Sequence, residues 1–324
     1  MLLKKNNNSA ILLMGPTAVG KTQLALRLGQ YYPIEIISVD SALVYQDLDI
    51  GSAKPSHDEL QSVPHHLINI ISPLENYSVA QFLAIAKQLV KEVCQRGNLP
   101  VLVGGTMMYY NSLLNGLSQL PEANSELRLE LDNQFTKFGN VVMHQRLMKI
   151  DPNSATKISC NDRQRIQRAL EVCLMTNLTM KEAQAKEHIN SLVEDDIAIL
   201  PLAIVPNNRH LLHERINLRF LSMLDNGFIQ EVEMLQQKYP TLTAKHNSMR
   251  CVGYRQVWEY LATELTYLDM VANGQASTRQ LAKRQITWLR SLPIIALDDE
   301  LLNVENLYQQ LVRQFEQFYA CQIS

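Results

Sequence analysis

Short runs of apolar residues recur along the chain without the alternation of polar and apolar positions that a half-exposed strand requires. Such runs are typical of strands in a parallel sheet that helices cover on both faces. Helical periodicity at 22–32 follows the first run, and helical periodicity at 78–97 precedes the third, with Ser78 as candidate N-cap and Gly97 as candidate stop. This alternation predicts a doubly wound α/β fold. The runs are AILLM (10–14), EIISVD (35–40), PVLVGG (100–105), IAILPLAI (197–204) and PIIAL (293–297).

The strand pattern disappears between about 120 and 195, where the sequence is helical in pattern and rich in charged residues, Gln and Asn. A helical stretch between two groups of strands indicates an insertion into an α/β core. We therefore predict the first part of the core at 1–119, a helical insertion domain at 120–195, and the second part of the core, ending in helices, at 196–324.

The first strand leads into a turn with the spacing G-x-x-x-x-G-K-[ST] of a phosphate-binding loop. Its glycines let the backbone curl so that N–H groups face inward, and the following helix adds the positive end of its dipole. Lys21 supplies a positive charge for phosphate oxygens, and the Thr22 hydroxyl can ligate Mg²⁺. The loop predicts a diphosphate or triphosphate site with Mg²⁺ as cofactor, but it leaves the reaction open. Its members are Gly15, Pro16, Thr17, Ala18, Val19, Gly20, Lys21 and Thr22.

Two further strand ends carry polar residues. Asp40 ends the second strand, and Gly104, Gly105 and Thr106 end the third. Ligands of open α/β sheets sit beyond the carboxyl ends of the strands, so these residues are predicted at the same rim as the phosphate loop. A carboxylate there can hold Mg²⁺ through water, bind a substrate hydroxyl or take a proton from a nucleophile. The alternatives are a turn cap for Asp40 and a simple glycine-rich strand exit for the GGT sequence.

Composition narrows the class of protein. The 324 residues are 46% hydrophobic and carry a net charge of −2, so a nucleic-acid partner would have to bind local basic faces. Five scattered cysteines without a CxxC spacing indicate a reduced, cytoplasmic protein without a structural zinc site. The adjacent His65 and His66 are interpreted as structural residues. No run approaches the roughly 20 apolar residues of a membrane span, so no membrane partner is expected.

A local basic face is predicted at 279–290. On a helix, Arg279, Lys283 and Arg290 fall within about 40° of one another. This polar arc carries no acid, whereas ordinary solvated faces mix both signs, so we predict contact with phosphates. The arc is extended by Gln280, Arg284 and Thr287, and the opposite side carries Leu281, Ala282, Ile286, Trp288 and Leu289.

A second basic patch lies in the insertion, where QRIQR (164–168) places Arg165 and Arg168 three positions apart on one helix face. Arginines on an ordinary helix surface would give the same pattern, so the residues alone do not decide between the two interpretations.

Several blocks occur together in an order that resembles the bacterial type of the tRNA dimethylallyltransferase (tRNA isopentenyltransferase) family. The resemblance covers about residues 9–292 and departs at Ser52, where the family usually has threonine. Serine keeps the hydroxyl group. The blocks are GPTAVGKT (15–22), ISVDSALVYQDLDIGSAKPS (37–56), PHHLI (64–68), LVGGTMMYY (102–110), RCVGYRQVW (250–258) and TRQLAKRQITWLR (278–290).

The resemblance implies transfer of the dimethylallyl group of dimethylallyl diphosphate to N6 of the adenosine 3′ to the anticodon, in tRNAs that read codons beginning with U. Pyrophosphate leaves, so the loop would hold a leaving group. By resemblance, Asp40 and Thr106 are catalytic and Arg219 binds the diphosphate, and the partners are the tRNA anticodon stem-loop and dimethylallyl diphosphate. The ring of Tyr254 is a candidate for stacking on a base, and we expect a monomer. The residues implied to contact tRNA are Asp40, Ser41, Ala42, Leu43, Thr106, Arg128, Gln164, Arg165, Ile166, Gln167, Arg168, Arg250, Tyr254, Arg255, Arg279, Lys283, Arg284 and Arg290.

Three other functions fit parts of the pattern. A small-molecule kinase would use Asp40 for a substrate hydroxyl, but the basic helix 279–290 argues against it. A prenyltransferase with a free adenine nucleotide as acceptor would not need the large insertion. An RNA-binding module with a nucleotide-sensing loop is distinguished by Asp40→Ala, because an enzyme would lose turnover in this variant and retain tRNA binding.

Overall fold

All five apolar runs form strands in the computed structural model, which describes residues 8–186, 188–298 and 300–321. Six strands form one parallel sheet in the order β3–β2–β4–β1–β7–β8, which confirms the predicted fold class and adds the short edge strand β3. Within the described residues the strands are β1 (Ser9–Met14), β2 (Ile34–Val39), β3 (His65–His66), β4 (Leu99–Gly104), β5 (Leu117–Ser118), β6 (His188–Ile189), β7 (Ala198–Ile204) and β8 (Ile295–Leu297).

Helices connect these strands. Helix α3 confirms the prediction at 78–97, because the Ser78 side chain accepts from Gln81 N in a capping box and Gly97 follows with φ 79°. The described helices are α1 (Lys21–Gly29), α2 (His57–Ser62), α3 (Val79–Gln95), α4 (Met107–Asn115), α5 (Ser125–Ile150), α6 (Pro152–Ala155), α7 (Arg163–Thr176), α8 (Met180–Gln184), α9 (Arg209–Asp225), α10 (Phe228–Lys238), α11 (Tyr254–Leu261), α12 (Tyr267–Leu289) and α13 (Val304–Cys321), with a 3₁₀ turn at Ser248–Arg250.

The chain divides into two units, one made of Met1–Leu114 with Leu192–Ser324 and the other of Asn115–Ser191, where the sequence predicts an insertion at 120–195. The second unit is helical except for an antiparallel pair of β5 and β6. The prediction of a purely helical segment at 120–195 was therefore wrong at β6. A strand of two residues is too short to produce a recognisable hydrophobic period in the sequence.

The central strands of the large sheet are buried along their whole length, as expected when both faces are covered. One core cluster packs Ile11 and Leu13 of β1 against Leu24 of α1 and Leu307 of α13. The buried Tyr110 hydroxyl lies 2.9 Å and 3.0 Å from carbonyl oxygens at the ends of β1 and β4. These contacts fix the carboxyl ends of the strands, where the site lies.

Candidate active site

The phosphate loop connects the end of β1 to the first residue of α1. Gly20 caps α1 with φ 95°, a left-handed conformation that glycine adopts without steric cost. The first N–H groups of a helix have no partner within the helix, so this end of α1 is suited to bind an anion. The structure thus gives the loop GPTAVGKT the strand–turn–helix context that the motif requires.

Lys21 lies at the base of this loop, and its Nζ donates to the Pro16 carbonyl oxygen at 2.7 Å. Burial lowers the pKa of Lys21 to about 7, against the attraction of Asp40 and with further repulsion from Arg219. The amine therefore loses part of its charge at neutral pH, and an arriving phosphate would favour the charged form.

A cavity of about 180 Å³ opens beside the loop. It brings together three ionisable side chains that are far apart in sequence, Lys21, Asp40 and Arg219. Burial lowers the pKa of Arg219, while the negative charge of Asp40 raises it. Other lining residues include Thr17, Ala18, Thr22, Ala42, Leu43, Ser52, Gly104, Gly105, Cys251, Tyr254, Leu281 and Gln285.

The exits of β2 and β4 are tied together next to this cavity. One carboxylate oxygen of Asp40, Oδ1, accepts from Ala42 N at 2.8 Å, and the Thr106 hydroxyl oxygen accepts from Ser41 N at 3.1 Å. The Thr106 N–H also donates to the carbonyl oxygen of Val39 at 3.1 Å. The strand ends that the sequence predicted at one rim therefore meet there.

The basic face of α12 is exposed as predicted at Lys283 and Arg284, which line a groove of about 380 Å³. Trp288 is 39% exposed and lines the same groove, so its predicted place on the apolar side was wrong. Arg279 is half-buried and donates to the Asn217 side chain at 2.6 Å, and Arg290 follows the helix at its C-cap.

The RCVGYR segment differs from the prediction at one residue. Arg250 and Arg255 are exposed, and Arg255 bonds Glu259 at 2.7 Å. Tyr254, expected to stack on a base, is fully buried, and its hydroxyl lies 2.6 Å from the Glu231 carboxylate. Because its ring packs edge-on against Phe228, the predicted stacking role of Tyr254 is wrong.

Two arginines of the second unit converge on one acid. Arg128 binds both oxygens of the buried Glu171 at 2.9 Å and 3.1 Å, and Arg168 binds one of them at 2.7 Å. Although burial opposes ionisation, these hydrogen bonds lower the pKa of Glu171. The two guanidinium groups thus have a structural partner that the sequence did not reveal.

The remaining QRIQR positions divide by exposure. Gln164 and Arg165 are exposed, whereas Gln167 is half-buried and donates to the Arg128 carbonyl oxygen at 3.2 Å. Ile166 is fully buried in the core of this unit, so its predicted contact with tRNA was wrong.

Sequence reasoning missed two groups that shape the cavity. The buried carboxylate of Glu231 accepts from the backbone N–H groups of residues 49, 50 and 51 and so fixes the segment that precedes Ser52. Gln285 lies on the buried side of α12 and contacts the phosphate loop. Neither shows a local signal, because each partner lies far away along the chain.

An open parallel α/β sheet whose first strand leads through the GPTAVGKT turn into a helix is the architecture of the phosphate-loop class of proteins. The IPP transferase family model matches residues 43–292, and the chain belongs to this family.

Individual relatives agree with this assignment. A tRNA dimethylallyltransferase of Chromobacterium violaceum is 52% identical over 308 residues, which cover 94% of this chain and 93% of the relative. A solved tRNA isopentenylpyrophosphate transferase of Bacillus halodurans is 30% identical, covers 98% of this chain and 100% of its own, and superposes with a TM-score of 0.66. A eukaryotic dimethylallyltransferase solved in states acting on tRNA gives a TM-score of 0.76 at 26% identity, over 94% of this chain and 77% of its own.

Proposed function

We propose that this protein transfers the dimethylallyl group of dimethylallyl diphosphate to N6 of the adenosine 3′ to the anticodon, in tRNAs that read codons beginning with U, and releases pyrophosphate. The observation that carries the proposal is the cavity in which Lys21, Asp40 and Arg219 meet at a phosphate loop, in a member of the IPP transferase family. The two cations can neutralise a leaving diphosphate, and the carboxylate can accept a proton from the nucleophile.

The leaving group needs neutralisation of charge. As the allylic carbon–oxygen bond breaks, negative charge grows on the diphosphate, and the loop N–H groups, Lys21 and Arg219 stabilise it. The attraction between the diphosphate and Lys21 moves this amine toward its charged form. The phosphate loop therefore holds a leaving group in this proposal, where in a kinase it would hold a donor.

The nucleophile needs activation. The lone pair of adenine N6 is delocalised into the ring, which makes N6 a poor nucleophile. Removal of a proton from the N6 amino group during attack therefore accelerates transfer by about 10²–10⁴-fold. Asp40 is the carboxylate of the cavity and accepts that proton. Its hydrogen bond from Ala42 N holds one oxygen in place, and Thr106 fixes the adjoining Ser41.

Mg²⁺ is the expected cofactor. Thr22 lines the cavity, and its hydroxyl oxygen is a ligand that suits Mg²⁺. In the part of the chain that the structure describes, no group of three or more His, Cys, Asp or Glu side chains could hold a metal ion. Phosphate oxygens and water would therefore complete its coordination, and the ion would neutralise charge on the diphosphate.

The tRNA partner is supported by the exposed basic face of α12 and by Arg250 and Arg255. Exposed cations near the cavity bind phosphates of the anticodon stem-loop, while the target base leaves its stack to enter the cavity.

Among the helices of residues 8–186, 188–298 and 300–321, none has the length and apolar character of a membrane span.

The deciding experiment incubates the purified protein with dimethylallyl diphosphate and unmodified tRNA, and follows pyrophosphate release together with the mass of the tRNA nucleosides. We expect one adenosine per tRNA to gain a dimethylallyl group when the tRNA reads codons beginning with U. A tRNA with guanosine at that position serves as the control. Phosphoryl transfer from ATP to an alcohol, or prenylation of free adenine nucleotides alone, would contradict the proposal.

A further inference from the structure

Gln285 joins two loops of the site through one side-chain amide. It lies on α12, is 7% exposed and lines the cavity. Its Oε1 accepts from Thr17 N at 2.9 Å, and its Nε2 donates to the Gly105 carbonyl oxygen at 2.9 Å. The amide thus connects the phosphate loop with the exit of β4.

Each of these bonds ends on a peptide group that carries a second bond to the site. The peptide of Pro16 and Thr17 receives the Lys21 ammonium on its carbonyl oxygen and bonds Gln285 through its N–H. The peptide of Gly105 and Thr106 bonds Gln285 through its carbonyl oxygen and Val39 through its N–H. Because a peptide group is planar, a shift on one side moves the group on the other.

The chemistry at this position requires an amide. At neutral pH an amide side chain presents an acceptor and a donor on the same carbon without charge, whereas a carboxylate offers acceptors only. Gly105 leaves the space it needs, since a Cβ there would lie 2.3 Å from Nε2 of Gln285. A carboxylate at 285 would place an oxygen against the Gly105 oxygen and a negative charge beside the diphosphate site.

We propose that Gln285 is a positioning residue that holds Lys21 and Thr106 in their places relative to one another. Its effect on Lys21 concerns binding of any diphosphate, whereas its effect on Thr106 rests on the prenyl transfer proposed above. It does not touch the reacting atoms and acts through the two peptide groups.

The test compares Gln285→Met with Gln275→Met. Both replace a glutamine of α12 by an apolar side chain of similar length, but Gln275 donates to the Asn217 carbonyl oxygen at 3.3 Å and does not line the cavity. Calorimetry gives the Kd of pyrophosphate, and transfer assays give kcat and KM for each substrate. We expect Gln285→Met to weaken pyrophosphate binding and to lower kcat by about 10-fold each, since two buried backbone groups lose their partners, with the KM for tRNA unchanged.

A merely structural role predicts another outcome. Both variants would then unfold at a lower temperature, and the Kd of pyrophosphate, measured well below that temperature, would equal the native value in both. That result would overturn the proposal. If the native protein showed no prenyl transfer, the proposed function would be refuted. Weaker pyrophosphate binding in Gln285→Met, but not in Gln275→Met, would in that case still support the positioning of Lys21.

Gln285→Glu supplies a second measurement, which does not depend on how well the methionine variant folds. When protonated, the introduced carboxyl group again offers one acceptor and one donor. The other titratable or charged groups that line the cavity are Lys21, Asp40, Arg219, Cys251 and Tyr254, and they are common to both proteins. We expect the ratio of variant to native pyrophosphate affinity to rise as pH falls; a ratio independent of pH would contradict the role assigned to the amide.

Discussion

Lys21 shows how burial and charge oppose each other at one residue. Its amine is removed from water, which lowers its pKa to about 7, and its contact with the Pro16 carbonyl oxygen holds it at the loop. A lysine in this state gains charge when an anion binds. We therefore expect the site to take up a proton when a diphosphate binds.

Proton uptake on binding gives the first prediction. Above pH 7 the ligand-free amine is mostly neutral and becomes charged with pyrophosphate, so near pH 8 binding takes up close to one additional proton; well below pH 7 this uptake disappears. Calorimetry in two buffers with different ionisation enthalpies measures it. Lys21→Met provides the control, because it retains the protonation of pyrophosphate itself. We also expect this variant to bind at least 10-fold more weakly.

Asp40 gives the second prediction. Asp40→Asn keeps the shape and the acceptor for Ala42 N but cannot take the N6 proton, so kcat should fall by about 10²–10⁴-fold with tRNA affinity retained. Single-turnover transfer and filter binding measure the two quantities. Asp225→Asn, which removes an exposed carboxylate elsewhere, should match the native protein. Unchanged kcat in Asp40→Asn would exclude Asp40 as the base.

At the scale of an element, α12 has two sides with different tasks. Its exposed side carries Lys283 and Arg284, and its buried side carries Gln285 against the phosphate loop. A helix that is basic outside and polar at one buried position is not explained by amphipathic packing alone. Helix α12 therefore connects the cavity with the surface that we propose binds RNA.

The third prediction tests this surface. Lys283→Glu combined with Arg290→Glu should weaken tRNA binding by 10-fold or more and reduce the slope of log Kd against log salt by about 2, because two phosphate contacts are lost. Arg313→Glu combined with Lys245→Glu makes the same change of charge at exposed sites on other segments and serves as the control. An equal effect of both pairs would indicate a response to net charge only.

At the scale of the molecule, the two ends of the large sheet have different roles. The carboxyl ends of β1, β2 and β4 form the site, whereas the opposite end of β2 holds the buried Glu35. Glu35 binds Arg96 through both carboxylate oxygens, at 2.8 Å and 2.7 Å, and His66 at 2.6 Å. Chiefly through the bond from Arg96, and against the effect of burial, these bonds lower the pKa of Glu35 to about 2. This cluster ties β2, β3 and the end of α3 together.

The fourth prediction concerns stability and pH. A depressed pKa means that Glu35 stabilises the fold above its ordinary value near 4.5 and that this contribution is lost as pH falls toward 2. Glu35→Gln should cost about 1–3 kcal/mol at pH 6 and progressively less below pH 4. Urea unfolding at pH 6 and pH 3 measures the difference, with Glu316→Gln as an exposed control. A cost that is the same at both pH values would contradict the assigned contribution.

The sequence by itself determined the strands formed by the five apolar runs, the main helices and the phosphate loop, because periodicity, caps and glycine turns act between residues close together in the chain. It also located Asp40 and Thr106, since parallel strands must end at a shared edge. The resemblance to a family added the reaction and its partners.

Only the tertiary structure decided which polar residues face the cavity and which face a buried partner. Thr17 and Gln285 are 268 positions apart, and nothing local predicts their bond. The same holds for Tyr254 on Glu231 and for Arg128 on Glu171, where side chains expected to face RNA bond buried carboxylates. Pairing over such distances depends on how helices pack, which a one-dimensional pattern does not contain.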